Sequence, residues 1–164
     1  MPGQPKWLPP EIAGLVWDGN TLSQLYSYFD KDFRIGQPRY KGIRVGWDDR
    51  ISPGDKYEEG FYHLITEDNG AGSRYVNLKR ARRLPWCAPI ITNADEIEVL
   101  AFDYKEGNKE IRTYVWIPEL DYLVILLKKP NRKWGTVAFL ITAFTLDGDN
   151  SRRKMRLKYD NRIR

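Results

Sequence analysis

Glu110-Ile-Arg-Thr-Tyr-Val-Trp-Ile117 is the stretch of this chain that decides its fold. Ile111, Thr113, Val115 and Ile117 occupy every second position, and the residues between them are an arginine and two aromatics. Alternation of this kind is typical of a β-strand that places one face on a hydrophobic core. The stretch therefore predicts a sheet in the C-terminal half of the protein.

Further strands are predicted on both sides of this stretch, at 97–103, 122–127 and 136–145. The segments that join these strands are short and rich in turn residues, as in antiparallel hairpins. Residues 122–127 are apolar throughout, which is typical of a central strand covered on both faces. Two shorter strands are predicted at 43–45 and 61–65.

Helices are predicted outside this sheet. Thr21-Leu-Ser-Gln24 matches a capping box and is followed by apolar residues at helical spacing, which predicts a helix over 22–31. Asn77 is a suitable N-cap for a second, basic helix, and the tail from Ser151 is predicted to be a basic helix or arm. These elements predict an α+β fold, in which helices pack on a four-stranded antiparallel sheet.

Length and composition indicate one main domain. The 164 residues allow an irregular N-terminal extension with one short helix, at 1–56, followed by a domain at 57–164. Cys87 is the only cysteine, which rules out an internal disulfide and favours a reducing compartment such as the cytoplasm. No secretory leader and no apolar run of membrane-spanning length is visible, so no membrane partner is expected.

Positive charge is concentrated in the second part of the chain. The net charge is +5, and residues 61–164 hold 19 Lys and Arg against 13 Asp and Glu. Such asymmetry indicates a polyanionic partner. The densest cluster is Lys79-Arg-Ala-Arg-Arg-Leu-Pro-Trp86, in which Arg80 and Arg83 are expected to share one helix face beside Trp86. The alternative is a solvated basic helix with this tryptophan in the core.

His63 is the only histidine, and it is therefore the main candidate for proton transfer near neutral pH. Beside arginines, it could serve the cleavage of a phosphodiester, and RNA needs no metal because its 2′-hydroxyl is an internal nucleophile. A single histidine in a strand is also commonly structural. Thr142 lies in an apolar strand, and its hydroxyl is expected either to donate to a phosphate or to bond a neighbouring carbonyl.

Other basic and aromatic side chains are candidates for contacts with RNA, or else belong to solvated helix faces: Lys79, Arg82, Trp86, Lys154, Arg156 and Lys158. The chain has no phosphate-binding glycine loop, no zinc-ligand spacing and no catalytic triad. Asp95, Asp103 and Lys105 loosely match the acid-and-lysine pattern of metal-dependent nucleases, but the last two are better explained as the end of a hairpin.

Five short motifs in this order resemble the phage and prophage branch of the barnase–EndoU–colicin–RelE-like (BECR) ribonucleases: Gly60-Phe-Tyr-His-Leu-Ile-Thr66, Arg80-Ala-Arg-Arg-Leu-Pro-Trp86, Tyr114-Val-Trp116, Tyr122-Leu-Val-Ile125 and Leu140-Ile-Thr-Ala-Phe144. The resemblance covers about residues 57–160. It implies helices followed by a four-stranded antiparallel sheet, and an endoribonuclease without metal or cofactor that leaves a 2′,3′-cyclic phosphate. It also implies RNA as the partner and a phage or prophage toxin or effector as the setting, with an immunity or antitoxin protein as a further partner.

The resemblance also implies roles for particular residues. His63 matches the proton-transfer group, Arg80 and Arg83 match the phosphate-binding residues, and Thr142 matches a hydroxyl that positions the phosphate. Phe144 stands where a tyrosine often stands in the family, so one hydroxyl is missing. The alternatives are a non-catalytic protein that binds nucleic acid, and a virion-associated or scaffold protein that assembles through its aromatic-rich N-terminal region.

Overall fold

The computed structural model describes residues 4–164. The longer elements, in chain order, are α1 (Thr21–Phe29), a π-helical segment (Asp30–Ile35), β1 (Arg39–Tyr40), β2 (Ile43–Gly46), α2 (Glu59–Ile65), β3 (Thr66–Asp68), β4 (Arg74–Val76), α3 (Leu78–Arg82), α4 (Cys87–Thr92), β5 (Leu100–Lys105), β6 (Ile111–Ile117), β7 (Tyr122–Asn131), β8 (Gly135–Thr145) and α5 (Gly148–Asp160). Short 3₁₀ turns lie at Leu84–Trp86 and Pro118–Leu120.

The fold is α+β, as predicted, and its centre is a six-stranded mixed sheet in the order β1-β2-β8-β7-β6-β5. β5 to β8 are the four predicted antiparallel strands. The prediction of a four-stranded antiparallel sheet is wrong, because β2 adds to β8 in parallel and β1 pairs with β2. The strand predicted at 43–45 is confirmed as β2, but its pairing with a segment some 90 positions away leaves no local signal in the sequence.

The segment that carries His63 is a helix, so the strand predicted at 61–65 is wrong. Phe61, Leu64 and Ile65 are buried, at the i, i+3 and i+4 positions of one helix face. A run of five apolar and aromatic residues fits a strand and a buried helix equally well, and only tertiary packing decides between them. Thr66 leaves the helix in an extended conformation and begins a separate two-stranded hairpin, β3–β4.

A large core lies on one face of the six-stranded sheet and draws on residues from Leu8 to Ala143. Residues from the segment predicted as an extension are buried in it: Leu8, Ile12, Leu25, Phe29, Phe33, Tyr40 and Val45. They pack with residues on the other side of the predicted boundary at 56/57. The helix expected over 22–31 is α1, although the Thr21 hydroxyl bonds the carbonyl of Val16 and forms no capping box.

The other face of the sheet is covered only in part. The tail forms the helix that the sequence predicted, α5, which packs Met155 and Tyr159 against a smaller cluster around Tyr114 and Leu123. The free ends of β7 and β8 extend beyond this cluster with an exposed turn. Among residues 4–164, no helix combines the length and the apolar character needed to cross a bilayer.

Candidate functional site

A pocket of about 410 Å³ lies where α2, the β3–β4 hairpin and α3 meet the edge of β8. Its lining contains an imidazole, two guanidiniums, two carboxylates and a hydroxyl, and the lining residues are His63, Glu67, Asp68, Arg74, Arg80, Ile141, Thr142 and Phe144. The structure therefore brings three of the four predicted catalytic residues, those at positions 63, 80 and 142, to one site.

The edge of β8 is open to the pocket because its neighbour β2 ends early. The last residue of β2, Gly46, pairs with Phe139, and beyond that point β8 lies beside α2. A bulge at Ile141 shifts the register between β7 and β8 and redirects the side chains that follow. The Thr142 hydroxyl donates to the carbonyl of His63 at 3.2 Å. It therefore ties the strand to the helix, which is the second of the two roles considered for it.

Arg80 is fixed to the backbone of the pocket wall. The Asn77 side chain caps α3 as predicted, accepting from the Arg80 backbone N–H at 3.0 Å. One nitrogen of the guanidinium, Nη1, donates to the carbonyls of Thr66 at 2.6 Å and His63 at 3.3 Å. The other, Nη2, lies 3.9 Å from Glu67 Oε1. Nη1 thus holds the end of α2 in place, and Nη2 lies beside the carboxylate of Glu67 in the pocket lining.

His63 is half-buried at the pocket wall. Burial, and after it the positive charge of Arg74, lowers the pKa of its imidazole below the usual value, while the carboxylates of Glu59 and Asp48 act in the opposite direction. A lowered pKa means that the ring is neutral at pH 7 and able to accept a proton.

Glu67, Asp68 and Arg74 are pocket residues that the sequence analysis missed. Hydrogen bonds from Asn77 and Tyr75, both at 2.8 Å, lower the pKa of Glu67, so this carboxyl is ionised at neutral pH. All three residues belong to the hairpin around the Gly-rich turn. The signal was an acidic pair before that turn and an arginine after it, where hairpin pairing places Asp68 opposite Arg74.

Arg83 and Trp86 lie away from the pocket. α3 ends at Arg82, so Arg83 does not continue the helix face of Arg80. Its Nε donates to Glu11 at 2.6 Å, its Nη1 donates to the Thr145 hydroxyl at 2.8 Å, and its guanidinium lies 4.6 Å from the Trp86 ring centre.

The roles predicted for this pair are not compatible with these positions. The Trp86 side chain is 0% exposed and donates to the carbonyl of Pro9 at 2.8 Å, so the ring is a core anchor and is closed to a base. The Arg83 guanidinium is occupied by a structural network. The Arg83 guanidinium was expected beside that of Arg80. Because α3 ends at Arg82, between these two residues, their side chains point in different directions.

The other predicted RNA contacts divide into cations with carboxylate partners and exposed cations. Lys79 Nζ lies 2.9 Å from Asp147, and Lys158 Nζ lies 3.0 Å from Glu106, so both cations already have carboxylate partners. The remaining three are exposed: Arg82, Lys154 and Arg156.

The pocket thus brings together two guanidiniums, two carboxylates and a half-buried imidazole whose pKa is lowered. Comparisons of the chain with protein-family models, with curated proteins and with solved structures found no match. In the part of the chain that the structure describes, no group of three or more His, Cys, Asp and Glu side chains is placed to hold a metal ion.

Proposed function

We propose that the protein is a metal-independent endoribonuclease, which cleaves RNA by attack of the 2′-hydroxyl and leaves a 2′,3′-cyclic phosphate. The observation that carries the proposal is the placement of His63, Arg74 and Arg80 around one pocket. Guanidinium forks match the oxygens of a phosphate, and a neutral imidazole beside them supplies the proton acceptor that the 2′-hydroxyl needs. By the resemblance in sequence, the enzyme is a phage or prophage toxin or effector of the BECR type.

In the proposed reaction, His63 carries out both proton transfers. His63 takes the proton of the 2′-hydroxyl as its oxygen bonds to phosphorus, and it returns this proton to the 5′-oxygen as the bond between phosphorus and that oxygen breaks. Glu67 is ionised and has no proton to give. Arg74 and the Nη2 edge of Arg80 offset the extra negative charge of the pentavalent phosphorus.

The test is incubation of the purified protein with total RNA in excess EDTA, followed by analysis of the ends of the fragments. We expect cleavage with cyclic-phosphate ends, and a loss of about 100-fold or more in His63→Gln, the usual effect of removing a general base. Tyr62→Phe is the matched control, because Tyr62 directly precedes His63 on the same helix and lines a different pocket. Wild-type cleavage by His63→Gln would refute the mechanism.

A second candidate is an RNA-binding protein without catalysis, and one observation favours it. Arg80 and Thr142 both donate to the carbonyl of His63, so two groups expected at the phosphate instead hold α2 in position. Salt-dependent binding of RNA with no turnover, unchanged in His63→Gln, would select this function.

A further inference from the structure

A second basic surface lies at the opposite end of β8 from the pocket. β7 and β8 extend as a two-stranded ribbon, and the neighbouring strands β1 and β2 add two arginines beside it. We call this surface the ribbon face, and it consists of Arg39, Arg44, Lys129, Arg132, Lys133 and Trp134.

Strand pairing places the cations of the ribbon face in one row. Arg39 is opposite Arg44, Arg44 is opposite Val137, and Val137 is opposite Lys129. Paired residues share a face of the sheet, and the next residue of β8, Ala138, is buried in the core on the other face. Three cations thus cross four strands on the outer face, a span of about 14 Å at the usual distance between strands.

The turn of the ribbon has a fixed shape. The side-chain oxygen of Asn131 accepts from the backbone N–H groups of Lys133 and Trp134, both at 2.9 Å, and Gly135 adopts a φ of 79°. Trp134 is 45% exposed, and the Arg44 guanidinium lies 3.7 Å from its ring centre. The indole is therefore presented to solvent beside the row of cations.

The charges of the ribbon face are not balanced by the protein. None of its five cations forms an ion pair with a carboxylate within residues 4–164, whereas Lys128, on the other face of the same strand, pairs with Asp103 at 3.0 Å. Arg44 Nε is buried without a hydrogen-bond partner. Like charges directly opposite each other, as Arg39 and Arg44 are, destabilise a sheet. An external anion would remove this cost.

We propose that the ribbon face binds the backbone of a single-stranded nucleic acid and that Trp134 stacks on one of its bases. Rows of cations with exposed aromatic rings are the usual means by which proteins hold single strands. An exposed indole has no base face to contact in an intact duplex, and this favours the single strand.

The ribbon face and the pocket lie on the same face of the sheet. Val137 and Thr142 are five residues apart on β8, about 16 Å in an extended strand, and Phe139 lies between them on that face. A strand held at the ribbon face would therefore reach the pocket. This connection rests on the proposed function, but binding at the ribbon face does not.

Binding is measured by fluorescence anisotropy as a function of NaCl concentration. The probe is a fluorescein-labelled 2′-O-methyl oligouridine of about 20 nucleotides, which has no free 2′-hydroxyl and is not cleaved. The result is therefore independent of nuclease activity. In Lys129→Gln/Arg132→Gln/Lys133→Gln, we expect the slope of log K against log salt to fall by about 2 in magnitude, which corresponds to three phosphate contacts.

The matched control removes the same charge from exposed lysines elsewhere: Lys6→Gln/Lys105→Gln/Lys109→Gln. We expect this variant to keep the wild-type slope, and thermal unfolding checks that both variants are folded. An equal fall in the two variants, or no fall in the first, would overturn the proposal.

Trp134→Ala tests the stacking contact separately. We expect it to weaken binding of the same probe about tenfold while the salt slope stays the same, because stacking releases no counterions. Unchanged affinity in this variant overturns the role of the indole.

Other probes identify the class of ligand. Binding of a single-stranded DNA of the same length supports the proposal, whether or not the 2′-O-methyl oligouridine also binds. Comparison of the two affinities shows whether the sugar contributes to binding. Tighter binding of a duplex, or retention on phosphatidylserine vesicles without binding of either single strand, would overturn it.

Discussion

His63 allows one protonation event to be assigned to one side chain, because the chain has no other histidine. Burial and the charge of Arg74 lower its pKa in the folded protein. The unfolded chain has no such environment, and its imidazole titrates near pH 6.5. The difference couples the protonation of the proposed catalytic group to the stability of the fold.

This coupling predicts the direction in which stability changes with pH. Between the two pKa values the unfolded state holds more protons, so the free energy of unfolding falls as the pH drops below about 6.5. The loss approaches about 1.4 kcal/mol for each unit by which the folded pKa is lowered. Urea unfolding at about pH 7.5, 6.5 and 5.5 measures it. His63→Gln should show a smaller loss, and parallel curves for the two proteins would contradict the environment described for the ring.

At the scale of single residues, the sequence predicted chemical types better than positions. The only histidine and Arg80 were found from composition and spacing, and both line the pocket. Arg83 was not placed correctly, because its direction depends on where α3 ends and on Glu11, 72 positions away. Long side chains reach partners that local sequence cannot identify.

Among the elements, α2 matters most to the site, because it carries His63 and packs closely on the segment before it. Gly60 lies in its first turn, and a Cβ atom there would be 2.9 Å from the Trp47 Cβ and 3.1 Å from the Asp48 carbonyl oxygen. Gly60→Ala should therefore destabilise the protein by about 1–3 kcal/mol through overpacking. Chemical denaturation measures the loss, and the displaced helix should also reduce any RNA cleavage.

Gly107→Ala is the control for this substitution. A Cβ at Gly107 meets nothing within 4 Å, and its φ is not in the left-handed region. The variant should stay within about 0.5 kcal/mol of the wild type, as most surface substitutions do. Equal losses in the two variants would show that close packing at α2 is not the cause.

The longer strands that pair with their neighbours in sequence were predicted correctly, whereas pairings between distant segments were not. β5 to β8 are joined by short connections, and their hydrophobic pattern was sufficient to predict all four. The parallel pairing of β2 with β8 depends on residues far apart in the chain. The helix at 59–65 is short, and contacts with the core rather than its own periodicity stabilise it.

In the whole molecule, two candidate surfaces lie on one strand. The pocket opens at the C-terminal end of β8, and the ribbon face lies at its N-terminal end. The excess of positive charge in the second part of the chain was visible in the sequence. The sequence did not show which of these cations have carboxylate partners, because ion pairs such as Lys79 with Asp147 join residues that are distant in sequence.

The shared core makes a prediction about the chain as a whole. The truncated chain 57–164 would lose Leu25, Phe29 and Phe33, which are all 0% exposed, together with β1 and β2. Each large apolar side chain contributes about 1.5–3 kcal/mol by its burial. Since a domain of this size is stable by only about 5–15 kcal/mol in total, the truncated chain should not fold.

Near-UV circular dichroism and thermal unfolding of the two chains in one buffer check this outcome. The full chain should unfold cooperatively, and the chain 57–164 should show no cooperative transition. Addition of a peptide covering residues 4–56 should restore the transition, because the missing surfaces are complementary to the rest of the core. A cooperative transition of the truncated chain alone would show that the N-terminal segment is an extension, as the sequence suggested. The pocket residues, which all lie beyond residue 57, would then form a site that needs no support from it.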